Sequence, residues 1–216
     1  MGDIFREIDE ELKQEDYLRL WKQHGNKILA GVVAVLLVIG GFYGWRQYQA
    51  QKRLEASDRY AQAQVLAATD KREDAAALFS QLAEQFGGGY HVLAELQRAA
   101  LRAQSGDETG AIAIYNSIAA DSGAPRETRD MATILSVLHA LDSAQADRAA
   151  LDAKLAPLDA PDSAWRYSAR EMRALLAQKG GDAARAKQLY ALLSDDIQAP
   201  EGIRARAAEM LAALGG

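Results

Sequence analysis

The sequence predicts an all-α protein in which one transmembrane helix near the N-terminus is followed by an α-solenoid of helical hairpins. Three observations carry this expectation. The 216 residues include only 4 Pro and are rich in Ala, Leu, Glu, Gln, Arg and Lys, the side chains that lose least freedom on entering a helix. A stretch of 18 residues, 28–45, holds no charged side chain. Shifted by 75 residues, the chain matches itself.

The apolar stretch lies between Lys27 and Arg46. At about 1.5 Å per residue it makes a helix of roughly 27 Å, close to the ~30 Å of a hydrocarbon core. Trp21 before it and Tyr43, Trp45 and Tyr48 at its far end stand where amphipathic rings favour the headgroup region, and Lys27 and Arg46 are placed to snorkel. A buried core helix would show a polar face within five turns. A cleaved signal peptide would end in a pair of small residues, which Gln47-Tyr48-Gln49-Ala50 lacks. An uncleaved anchor is therefore expected. Charge does not orient it, because Lys13, Arg19, Lys22 and Lys27 on one side balance Arg46, Lys52, Arg53 and Arg59 on the other. Gly40 and Gly44 form a small-xxx-small pair suited to contact with another membrane helix, although glycine is common in such helices without that role. In the polar tail, 1–27, Ile4, Phe5, Ile8 and Leu12 share a helical face that suits a lipid or protein contact, or a weakly ordered tail.

From Arg46 to Phe86 there is neither Pro nor Gly, so the helix is expected to continue as a stalk, 46–68, to a turn near Thr69-Asp70. Later breaks fall at Gly87-Gly88-Gly89, Ser105-Gly106-Asp107, Ser122-Gly123-Ala124-Pro125, Leu158-Asp159-Ala160-Pro161, Gly180-Gly181-Asp182 and Ala199-Pro200. They divide the repeat domain, 69–216, into helices of roughly 11 to 18 residues.

The 75-residue shift superposes Gly106-Asp107, Ala111, Tyr115 and Ala124-Pro125 on Gly181-Asp182, Ala186, Tyr190 and Ala199-Pro200. An earlier unit repeats the same theme, with Ala75-x3-Phe79-x2-Leu82 beside Ala111-x3-Tyr115-x2-Ile118 and Ala186-x3-Tyr190-x2-Leu193. A shift of that size equals about two units of 37 or 38 residues, and the unit between, around Asp147 to Leu158, is degenerate. Helix pairs thus recur at most four times.

These residues resemble the tetratricopeptide repeat. Ala99-x6-Gly106-Asp107-x3-Ala111-x3-Tyr115 and its twin from Ala174 match its small residue, its turn, and its Ala and aromatic on the second helix. Arg102 and Ala177 replace a bulky aromatic common in that repeat, and the unit is longer. Small residues let paired helices approach while the aromatic fills the space between them.

The acidic tail, the Gly25-Asn26-Lys27 entry, the exit through Gly44-Trp45-Arg46-Gln47-Tyr48 and the array together resemble the YfgM-type ancillary subunits of the bacterial Sec translocon. That likeness implies a single-pass protein of the inner membrane, with a cytoplasmic N-terminus and a periplasmic domain. Its implied partners are the Sec translocon and a periplasmic chaperone or exported chains. A cell-envelope assembly or division scaffold of the same architecture is the alternative.

Beyond residue 45 the chain carries 20 Lys and Arg against 23 Asp and Glu, so no basic footprint for nucleic acid is present. With no cysteine, thiolate chemistry is excluded. His24, His91 and His139 are widely separated and lack the spacing of a metal shell. Asp9-Glu10-Glu11 and Asp195-Asp196 are neighbours on helices, pointing about 100° apart, and read as solvated faces. Gly87-Gly88-Gly89 lacks the Gly-Lys-Ser/Thr of a phosphate loop. No catalytic, cofactor or metal residue is expected. For partner binding, two readings stand for Tyr90, His91, Arg98, Arg102, Trp165, Arg166, Arg170 and Arg173. They are either contact residues on the first helices, where Arg and aromatics concentrate binding energy, or packing aromatics beside solvated arginines.

Overall fold

The computed structural model describes residues 3–143 and 146–215, and of residues 3–20, Gln23 and Ile28 it describes the backbone alone. The side chains of the tail stripe Ile4, Phe5, Ile8 and Leu12, and of Asp9-Glu10-Glu11, thus lie outside the described residues. Every described residue with regular structure is helical. The chain divides into two compact units between Leu54 and Glu55.

The first unit is formed by α1 (Asp3–Ala68) as far as Leu54. Its most apolar 18-residue window, within His24–Ala68, has a mean hydropathy of 2.2 and none of it is buried. All residues from Leu29 to Tyr48 are exposed, so this helix is apolar on every face rather than along one stripe. It is long and apolar enough to cross a membrane.

The second unit begins with the last turns of α1, from Glu55. There follow α2 (Arg72–Gln85), α3 (Gly89–Gln104), α4 (Glu108–Ala120), α5 (Arg126–Ala140) and α6 (Arg148–Leu155), then a 3-10 turn, Ala156–Asp159. The unit closes with α7 (Arg166–Lys179), α8 (Ala183–Ser194) and α9 (Glu201–Ala213). The last turns of α1 pack on α2 through Ala56, Tyr60 and Ala63; from α2 on each helix packs on its neighbour in sequence, and α5 also meets α7, as α7 meets α9. Every break expected at Gly or Pro is present. One further helix start has no Gly or Pro before it in the sequence: Asp147 starts α6 by accepting from Ala150 N at 3.0 Å. The 8 residues of α6 also fall short of the 11 expected.

The duplication holds down to the backbone. Shifted by 75, the starts of α4 and α5 fall on those of α8 and α9. Gly106 and Gly181 share φ 83°, where a Cβ is disfavoured by roughly 1–2 kcal/mol. The next amides return to Arg102 O and Ala177 O, each at 2.9 Å. Asp107 and Asp182 then cap α4 and α8 through Gly110 N at 2.9 Å and Arg185 N at 3.0 Å. Pro125 and Pro200 stand at the N-caps of α5 and α9 with φ of -54° and -53°, where no amide hydrogen is needed.

A single register runs through all four second helices and, at Leu158, into the 3-10 turn that follows α6. Counting from the N-caps Lys71, Asp107, Asp147 and Asp182, the fourth residue is Ala75, Ala111, Leu151 or Ala186. The eighth is Phe79, Tyr115, Leu155 or Tyr190, and the eleventh is Leu82, Ile118, Leu158 or Leu193. All twelve are buried. The degenerate unit is thus a full member in which two leucines replace a small and an aromatic side chain. At the far end, α9 is the counterpart of α5 but carries Glu209 and Ala212 where α5 buries Ile134 and Val137. The face of α9 at Glu209 and Ala212 is exposed, and more polar than its counterpart on α5.

Tyr115 stacks on His139 at 5.4 Å between ring centres, and Tyr190 donates its hydroxyl to Gln178 Oε1 at 3.1 Å. Replacing either tyrosine by Ala is expected to cost about 3–5 kcal/mol, read as a lowered urea midpoint with an unchanged slope. Burial, followed by the charges of Glu108 and Glu171, raises both phenols above 10.0. The stability they lend is whole below the unfolded value and is lost as pH rises above it. Tyr115→Phe should therefore flatten the fall of melting temperature above pH ~10. An unchanged alkaline profile would place the ring outside the core.

Candidate interaction surface

The residues open to two readings in the sequence each make a contact within the array. On α3, the Tyr90 ring meets that of Tyr60 edge-on, 6.3 Å between centres. His91 Nδ1 donates to Ala83 O at 2.7 Å, since a carbonyl cannot donate. Arg98 pairs with Glu95 at 2.5 Å. Arg102 reaches Asp107 Oδ2 at 2.8 Å across the face of Gly110, where any Cβ would collide with both partners.

The ties are denser at α7. Trp165 packs on the apolar cluster of α5, α6 and α7, and its Nε1 donates to Glu127 O at 2.8 Å. Arg166 lies over the Tyr167 ring, 4.3 Å from its centre, and donates to Gln198 Oε1 at 2.9 Å. Arg170 binds Asp159 Oδ1 at 2.8 Å. Arg173 bridges Asp159 Oδ2 at 2.7 Å and Asp152 Oδ1 at 2.9 Å, and Arg185 completes Asp152 through Oδ2 at 2.7 Å. Both oxygens of both carboxylates are thereby satisfied. This chain of charges fastens the short α6 and the turn after it to α7 and α8. Arg98, Arg170 and Arg173 are tied to carboxylates within the array and largely covered, whereas Arg102 pairs with Asp107 and stays exposed. No local pattern marks this pairing, because the partners of Arg173 are 14 and 21 residues away.

Outside these ties the second unit exposes a few large apolar side chains: Val65, Leu93, Leu138, Leu192 and Ile197. Two clefts flank α4. One, of about 510 Å³, opens between the start of α3 and the end of α4 over Val92 and Ile118, with Glu95 and Asp121 at its sides. The other, of about 490 Å³, lies between the start of α4 and the end of α5 over Ile112 and Leu138, with Glu108 and Asp142. His139 Nδ1 lies 2.8 Å from Glu108 Oε2. Among the described residues no three His, Asp or Glu converge in a metal-binding group.

Burial alone would raise the Asp152 carboxyl, but the hydrogen bonds and charges of Arg173 and Arg185 outweigh it and hold it below its ordinary 3.8. As pH falls, the unfolded chain takes up the proton first. The stabilisation is therefore present above the unfolded value and is lost as pH drops through it towards the folded value. Asp152→Asn should lower the urea midpoint near neutral pH, and the gap to the parent should narrow below pH ~4. A gap that stays constant with pH would remove the charge network from the forces holding α6.

Comparison with curated proteins and with solved structures brings no match. Comparison with family models does: the tetratricopeptide repeat-like domain matches residues 19–211. With the hairpins, the capped turns and the shared register in place, the chain belongs to the tetratricopeptide repeat-like domain family.

Proposed function

We propose that the chain is a membrane-anchored, non-catalytic protein-interaction module that serves as an ancillary subunit of a bacterial Sec translocon. Residues 28–45 cross the inner membrane, the polar tail 1–27 is cytoplasmic, and the array is periplasmic, where it docks a folding factor or exported chains. The stalk that begins at residue 46 merges, from Glu55, into the first helix of the array. The observation that carries the anchor is the unburied apolar helix. Large Val, Leu and Ile side chains in water each forgo about 1.5–3 kcal/mol of transfer energy, and a bilayer restores that energy along all faces at once. The observation that carries interaction is family membership, since such arrays present extended surfaces to other proteins. At Gly40 and Gly44 nothing lies within 4 Å of where a Cβ would stand, which leaves that face open to another membrane helix.

The test is photo-crosslinking in intact membranes from probes at Leu138 and at Gly40, followed by identification of the partners. Translocon subunits captured at Gly40, with a folding factor or exported chains at Leu138, are the expected result. Capture of division or outer-membrane assembly proteins instead would transfer the module to that machinery. Recovery of the intact chain in the soluble fraction would remove the anchor.

A further inference from the structure

The two copies of the duplication share their fold but not their charge. Residues 89–140 carry 6 Asp and Glu against 4 Lys and Arg, whereas their counterparts 75 positions on, 164–215, carry 6 against 8. At the clefts flanking α4 the contrast is local. The 75-residue shift places Arg170 on Glu95, Ala183 on Glu108 and Lys187 on Ile112. Because α7 and α8 form the same hairpin with those substitutions, neither the Glu108 carboxylate nor the isoleucine is demanded by the hairpin at these positions, whereas Glu95 serves as the partner of Arg98.

We propose that the clefts flanking α4 dock an extended segment of a partner protein that combines Lys or Arg with aliphatic side chains. This proposal deepens the interaction-module reading and rests on it. Leu138 is 42% exposed beside Glu108 and Asp142, whose side chains are 52% and 81% exposed. An aliphatic side chain covers the leucine while a cation reaches the carboxylates, its methylene stem lying over Ile112. The His139 contact fixes the Glu108 carboxylate at the cleft. Lys179, the cation paired with Asp142, is a surface partner that a second cation can displace at little cost. The acidic charge of this half steers such a segment towards it, whereas the C-terminal copy does not.

The test is fluorescence anisotropy with the full chain in nonionic micelles, with empty micelles as the blank. Three dye-labelled synthetic peptides of about 12 residues are compared: alternating Lys-Leu, alternating Glu-Leu and alternating Lys-Ser. Lys-Leu should bind about tenfold or more tighter than either of the others, and weaken severalfold as salt rises. Glu108→Ala with Ile112→Lys, which installs the residues of the second copy, should lower that affinity about fivefold or more with helicity and melting temperature retained. Should that variant melt early, Glu108→Gln with Asp142→Asn, which keeps side-chain size at two exposed positions, takes its place. Equal binding of Glu-Leu, no dependence on salt, or full affinity in a folded variant overturns the proposal. Absence of binding by all three peptides overturns it too, and reaches the interaction-module reading only if membrane crosslinking is also empty.

Discussion

The interlock between a small and a large side chain, four and eight residues into each second helix, is the constraint on which the array depends. Ala75, Ala111 and Ala186 let the partner helix approach, and Phe79, Tyr115 and Tyr190 fill the space that opens one turn further on. That fixed spacing demands a fixed start. Three aspartate caps and a turn through Gly106 or Gly181 at φ 83° supply it. Hairpin after hairpin, the same start sets the same buried row, so the array grows by repetition rather than around one central core.

The third hairpin shows what happens when the interlock is softened. Leu151 and Leu155 share the volume more evenly than an Ala with an aromatic, and α6 is only 8 residues long. Here polar fastenings back the apolar row. Besides the Asp152 and Asp159 network, Ser136 donates to Asn116 at 2.8 Å and Lys154 reaches the same oxygen at 3.3 Å. A buried polar group left unpaired costs more than the net gain from pairing it. These ties therefore specify one arrangement of α4, α5 and α6.

Much of this was legible in the sequence. Uncharged residues 28–45, the Gly and Pro breaks and the twin Tyr115 and Tyr190 each follow from local chemistry that a single segment reveals. The break before α6 was hidden because Asp147 starts that helix without a Gly or Pro to announce it. Leu151 and Leu155 concealed the shared register, since volume rather than residue type is conserved there. The surface was the least legible. Whether Arg173 is solvated depends on Asp152 and Asp159, and the cleft beside Glu108 forms only when His139, 31 residues on, folds against it. No periodic pattern records such meetings.

The shared register is tested most directly by a double-mutant cycle on the third hairpin. In it, Leu151→Ala and Leu155→Tyr together recreate the small and aromatic pair of its neighbours. The first change alone should cost about 2–5 kcal/mol through its cavity, and the second about 1–3 kcal/mol through overpacking. If the register is common to all four hairpins, urea unfolding of the double variant should show a loss at least ~1 kcal/mol smaller than the sum of the two. Strictly additive losses would mean that positions 151 and 155 do not share one space, and that the third hairpin is built on a different plan.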